Sequence, residues 1–157
     1  MMAIAHTLVA GAIAAKVGSP ILAPTLALGS HFILDSIPHW DFGTNWKKRT
    51  KFATGAFAIV DTLISIALAW IIFTPITNPY ILGLCIIMSL LPDWLEAPWF
   101  MFFASEKYTK PSKHATFLER FFYKVHQTTN LFHTKTTFVL GIFSQILTVA
   151  LALWVLQ

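Results

Sequence analysis

The chain has 157 residues, of which 56% are apolar, 15% aromatic and only 11% charged. Soluble domains carry about 25% charged residues, and the deficit here is concentrated: Val17–Leu34, Thr62–Pro92 and Thr136–Gln157 contain no Asp, Glu, Lys or Arg. Runs of that length read as membrane segments, which argues against a soluble enzyme, a disordered chain and a disulfide-built secreted scaffold; the single cysteine, Cys85, has no internal partner.

In chain order the pattern predicts a short apolar helix over 3–15, a turn at Val17-Gly18-Ser19-Pro20, and a second helix over 21–37. The first segment lacks the basic flank of a signal peptide and is read as a retained helix. A polar, basic loop over 38–51 leads to a third helix over 52–73. The turn Thr74-Pro75-Ile76-Thr77-Asn78-Pro79 then starts a fourth helix running from Tyr80 toward Ala104, interrupted by Pro92 and Pro98. A basic amphipathic segment covers 105–132, with Phe117, Leu118, Phe121, Phe122 and Val125 on one side; it is expected to lie in the membrane interface. A fifth apolar helix follows over 136–156. The expected fold is therefore all-α, a single integral-membrane domain over 1–157. It has about five transmembrane or re-entrant helices, of which the first two are short for full spans, plus one interfacial helix.

Eleven Lys and Arg against seven Asp and Glu leave a net charge of +4. Lys47, Lys48, Arg49 and Lys51 fall in one interval between apolar runs, and Lys107, Lys110, Lys113, Arg120, Lys124 and Lys135 in another. That placement reads as a topology signal and as contacts to anionic lipid headgroups rather than as a nucleic-acid surface. It puts both basic loops and the N-terminus on the cytoplasmic side.

Ionisable residues inside apolar helices are costly and are the natural functional candidates. Counted from the uncharged turns at about 1.5 Å per residue, His6 and His31 lie roughly 15 Å deep, and Asp61 and Asp93 roughly 18–20 Å. Two helical hairpins thus bring polar groups to similar depth, toward the basic side. The sharpest motif is His31-Phe-Ile-Leu-Asp35-Ser-Ile-Pro38-His39-Trp40-Asp41. His31 and Asp35 share a helix face, and Pro38 ends the helix so that His39 and Asp41 sit on its exit. Imidazole with carboxylate suits Zn, Mn or Fe, although such a pair also serves to hydrogen-bond helices together. In Pro92-Asp93-Trp94-Leu95-Glu96 the two acids are three apart, beside tryptophans that fit an interfacial belt. His126, Thr129, Asn130 and His133 form one polar stripe on a helix. Asp61 stands alone on its helix, either to orient a metal-bound imidazole or to bind a buried hydroxyl. No phosphate-binding glycine loop, nucleophile elbow or His-Glu-x-x-His motif is present.

These residues together resemble the YdjM-like membrane-bound metal-dependent hydrolases, small bacterial inner-membrane proteins. The likeness lies in the early Ala5-His6-Thr7-Leu8-Val9-Ala10-Gly11, in an acidic Pro motif and in the later His126 and His133, seven apart. The acidic motif is similar to either Pro38-His39-Trp40-Asp41 or Pro92-Asp93-Trp94-Leu95. The resemblance implies a metal-dependent hydrolase. Its divalent metal, Zn with Mn or Fe as alternatives, is expected on His31, Asp35, His39, His126 and His133, with His6 joining them, and Asp41 or Asp93 is expected as general base. Lys47, Lys48, Arg49 and Lys124 are expected to hold an anionic headgroup, and the expected substrate is a lipid-linked phosphate or ester. The alternative is a non-enzymatic metal-binding scaffold or an ion or proton conduit.

Overall fold

The first helix, α1 (Ala3–Val17), is built almost wholly from alanine and other small apolar residues and has no polar face. A helix that is apolar all round belongs inside a bundle, and α1 packs against four others: α2 (Leu22–Ser36), α3 (Lys51–Phe73), α4 (Pro79–Pro98) and α6 (Phe138–Leu156). It ends at Gly18, whose left-handed φ of 62° lets its N–H cap the Ala14 carbonyl. The remaining helix, α5 (Phe117–Asn130), crosses the end of α4. This computed structural model describes residues 1–41, 47–105 and 107–156. The middle of the basic loop, 42–46, lies outside the described residues.

Among the described residues three helices are long and apolar enough to cross a membrane: α3, α6, and α4 with its continuation to Phe103. The two short N-terminal helices have 15 residues each, which spans about 22 Å at the rise of an α-helix, against a hydrocarbon core of about 30 Å. Of the about five transmembrane or re-entrant helices expected, three described segments have spanning length, and the two expected to be short form an apolar hairpin among them. Large apolar side chains on α3 and α6, including Leu63, Ile71, Val139, Phe143 and Trp154, are exposed. An apolar surface that extensive is a membrane or partner surface.

Pro92 does not interrupt α4. The helix runs through it to Pro98 and continues as a π-helical turn over Trp99–Phe103, closed by Ala104 N–H donating to the Trp99 carbonyl at 2.7 Å. Such widened turns mark places where side chains are re-aimed. Among its described residues the amphipathic segment is helical over α5, whose Thr116 side chain caps it by accepting from Glu119 N–H. Asp61 accepts the Ala3 N–H at 2.9 Å. It therefore satisfies a free donor at the start of α1, a role absent from the two alternatives read from the sequence.

The far ends of α1 and α3 touch so closely that a Cβ on Gly11 would lie 2.2 Å from the Phe73 ring. Gly11→Ala is expected to lower unfolding stability by about 1–3 kcal/mol through overpacking. Adding Phe73→Leu in the same chain is expected to restore part of the loss, as read by thermal melts in detergent.

Candidate metal centre

One end of the bundle gathers the starts of α1, α3 and α6 and the ends of α2 and α4, and the chemistry-bearing side chains meet there. His31 and Asp35 lie one turn apart on α2, and His6 stacks on His31 with ring centroids 4.2 Å apart. The residue before Pro38, Ile37, is extended, as a pre-proline residue prefers, so α2 stops and the chain turns along His39–Asp41. Residues 134–136 pair with this exit. His39 N–H donates to the Thr134 carbonyl and Thr136 N–H to the His39 carbonyl, both at 2.9 Å, while Thr134 N–H donates to the Asp35 carbonyl at 3.0 Å. That short parallel bridge brings His133 to the end of α2.

Asp35 is the hub. Its Oδ1 lies 3.2 Å from His6 Nε2 and 3.8 Å from His39 Nε2, and its Oδ2 lies 3.2 Å from His31 Nε2 and 3.1 Å from His133 Nε2. The Met1 amino group also touches Asp35. Asp93 stands 3.7 Å from His31 Nε2, and Asp41 3.5 Å from His39 and 3.9 Å from His133. Lys135 Nζ is 3.4 Å from Asp41. Within this crowd the two side-chain nitrogens of His6 and the Nε2 atoms of His31 and His39 are buried and satisfy no hydrogen bond.

The tautomers constrain that arrangement. His31 Nδ1 donates to the Ser89 carbonyl at 2.7 Å, and His39 Nδ1 donates to the Ile37 carbonyl at 2.8 Å. A carbonyl only accepts, so each Nδ1 carries a proton, and where the ring is neutral its Nε2 lone pair faces carboxylate oxygens. Facing acceptors in a dry site are satisfied either by a proton, which makes the pair an imidazolium–carboxylate contact, or by a metal ion between them. A backbone carbonyl orienting a ligating imidazole from behind is a usual support of metal sites. The spacing fits as well. Two ligands about 2.1 Å from one ion at a tetrahedral angle stand about 3.4 Å apart, in the middle of the separations around Asp35. Two groups have ligand atoms lying within 4.8 Å of one another: His6, His31 and Asp93, and Asp35, His39 and His133. Buried His and Asp side chains of this chain are thus placed to hold a metal ion. His133 lies outside the long helices, and its burial depresses its basicity, which favours the neutral, ligating form.

A cavity of about 350 Å³ opens onto this cluster between α3, the end of α4 and α5. Asp41, Asp93, His133 and Lys135 form its polar end, and Trp94, Ala97, Phe100 and Met101 give it an apolar stretch. A neighbouring cleft of about 250 Å³ shares Thr54 and Phe100 with it and carries Lys47, Arg49 and Lys51. Lys48 and Lys124 are exposed and line neither.

Of the ligands expected from sequence, His6, His31, Asp35, His39 and His133 converge, with Asp41 and Asp93 at the edge. His126 stands apart from both groups and pairs with Glu96 at 2.6 Å. The main additions are Lys135, two residues beyond His133, and Gln145, whose Nε2 donates to the Trp40 carbonyl at 2.8 Å and whose Oε1 accepts from Met2 N–H at 2.9 Å. A buried glutamine in a charge-free helix was the available signal for the latter. No protein-family model, curated protein or solved structure matches the chain.

Proposed function

We propose that this chain is a membrane-embedded, metal-dependent hydrolase of an anionic lipid-linked phosphate, akin to the YdjM-like proteins its motifs resemble. The residues that would hold its divalent ions are His6, His31 and Asp93 in one group and Asp35, His39 and His133 in the other. The observation that carries the reading is the set of buried imidazole nitrogens that face carboxylates without a hydrogen bond. Asp35 belongs to one ligand group and stands 3.2 Å from His6 and His31 of the other, a closeness that supports a paired-metal reading, since paired catalytic metals sit about 3.5–4 Å apart. Imidazole-rich donors with carboxylate favour Zn, with Mn or Fe as alternatives.

Such ions supply Lewis acidity and an acidified water. The chain's own residues do the rest. Asp93 and Asp41 edge the cavity, and one of the two would take the water's proton. Lys135, against Asp41, adds positive charge beside the phosphate. The apolar stretch accommodates a hydrocarbon chain, and Lys47, Arg49 and Lys51 in the adjoining cleft attract the anionic headgroup. With the basic segments at the same end as the site, the positive-inside rule puts site and N-terminus at the cytoplasmic face. A conduit reading has less support in the outer halves of the long helices. Between Ile64 and Phe73 and between Tyr80 and Leu91, Ser65 and Ser89 donate to carbonyls of their own helices.

Detergent-purified protein reconstituted with Zn is expected to hold two ions per chain by elemental analysis. His31→Ala and His133→Ala are each expected to lose at least one, together with hydrolysis of long-chain alkyl phosphate. Chain that holds no metal after Zn or Mn loading overturns the reading.

A further inference from the structure

The cavity has a second polar group, outside both ligand sets. His126 Nδ1 lies 2.6 Å from Glu96 Oε1, and the Thr129 hydroxyl donates to Glu96 Oε2 at 2.8 Å. Glu96 is buried and both its oxygens are engaged, so the carboxylate is fixed. The imidazole is fixed too. Trp99 lies nearly parallel to it, 13° apart with centroids at 6.2 Å, and the Phe100 ring meets it edge-on at 5.0 Å. An ionised carboxylate only accepts, so Nδ1 carries a proton and Nε2 is the atom left for exchange. A carboxylate behind an imidazole stabilises the doubly protonated ring, which is the arrangement of a proton donor in acyl and phosphoryl transfer. His126 and Glu96 line the same cavity as Asp41, Asp93 and His133, next to its apolar stretch of Ala97, Phe100 and Met101.

We propose that His126, oriented by Glu96, is the general acid of this site and that the substrate is a phosphoester of an aliphatic alcohol. This rests on the hydrolase reading above. An alkoxide is a poor leaving group and needs a proton as it departs, whereas an activated aryl oxide leaves without one. The phosphorus–oxygen bond to the alcohol breaks, the electron pair stays on that oxygen, and the oxygen takes the proton from His126 Nε2. Water adds its oxygen to phosphorus and gives its proton to Asp41 or Asp93, from which solvent returns it to the ring. The products are alcohol and phosphate.

The test compares hexadecyl phosphate with p-nitrophenyl phosphate on the Zn-loaded full chain. His126→Gln is expected to lower kcat on the alkyl ester by about 100-fold or more, and much less on the aryl ester. Glu96→Gln is expected to show the same selectivity at smaller size. Zinc content is expected to be unchanged in both variants, and ¹⁵N spectra of labelled histidine are expected to show His126 losing its fixed Nδ1–H tautomer in Glu96→Gln. Equal losses on both esters, or loss of zinc with His126, overturn this assignment while leaving the hydrolase reading intact. Wild-type chain that binds zinc but cleaves neither ester overturns the hydrolase reading, and this assignment with it.

Discussion

Asp35→Asn is expected to weaken metal binding by more than about 100-fold and to remove hydrolysis altogether. Changes to residues that merely support a ligand commonly cost 10–100-fold in affinity, and Asp35 stands at the centre of the ligand set. Four imidazole nitrogens from α1, α2, the α2 exit and the start of the last segment lie 3.1–3.8 Å from its two oxygens. The amide keeps the size of the side chain but gives up the charge and turns one acceptor into a donor. That group would then donate to an imidazole lone pair that the proposed ion would need. Zinc titration followed by elemental analysis measures the effect, with His114→Ala as the control, because His114 is exposed in the segment between α4 and α5. Undiminished zinc in Asp35→Asn would sink the paired centre.

Gly141→Ala is expected to damage the same centre without touching a ligand. A Cβ at this position would stand 2.3 Å from the Trp40 backbone nitrogen and 2.8 Å from the His39 carbonyl carbon. Neither is the end of a flexible side chain, so α6 or the His39–Asp41 segment must move. The segment is held by the bridge to 134–136 and is tied to α6 itself by Gln145 on the Trp40 carbonyl and the Ser144 hydroxyl on the Pro38 carbonyl. Displacing it separates His39 and Asp41 from Asp35. The expected result is about 1–3 kcal/mol of lost stability from overpacking, with zinc affinity falling at least about tenfold. Gly29→Ala is the matched control. Gly29 is on α2 with nothing within 4 Å of an added Cβ, so its substitution is expected to be neutral or to stabilise by up to about 1 kcal/mol.

Much of the arrangement was legible from the chain itself. The charge-free runs give the long helices to within a few residues, because apolar length and Pro–Asn turns are local signals. Counting depth from those turns brought His6 to the level of His31, and the pair stack in the structure. Pro38 gave the end of α2. The partner of His126 was not legible. Its stripe on α5 is equally consistent with facing the ion or facing Glu96, and the choice is made by how α5 crosses the π turn after Pro98, which no local spacing encodes. Whether the two short N-terminal helices meet lipid was not legible for a related reason. The 15 residues of α1 are apolar enough for lipid, yet they are buried by neighbouring helices. Composition reports that a segment avoids water, but not whether lipid or protein surrounds it.

The bridge between His39 and Lys135 has a consequence for biogenesis. His6, His31 and Asp35 leave the ribosome early, while His133 and the glycine and glutamine of α6 that seat the α2 exit come from the last quarter of the chain. On the metal reading proposed above, a nascent chain would carry only part of the ligand set, and loading would wait for the last segment to dock. Chains truncated ahead of residue 133 are expected to insert without retaining zinc, so that metal content reports completed assembly.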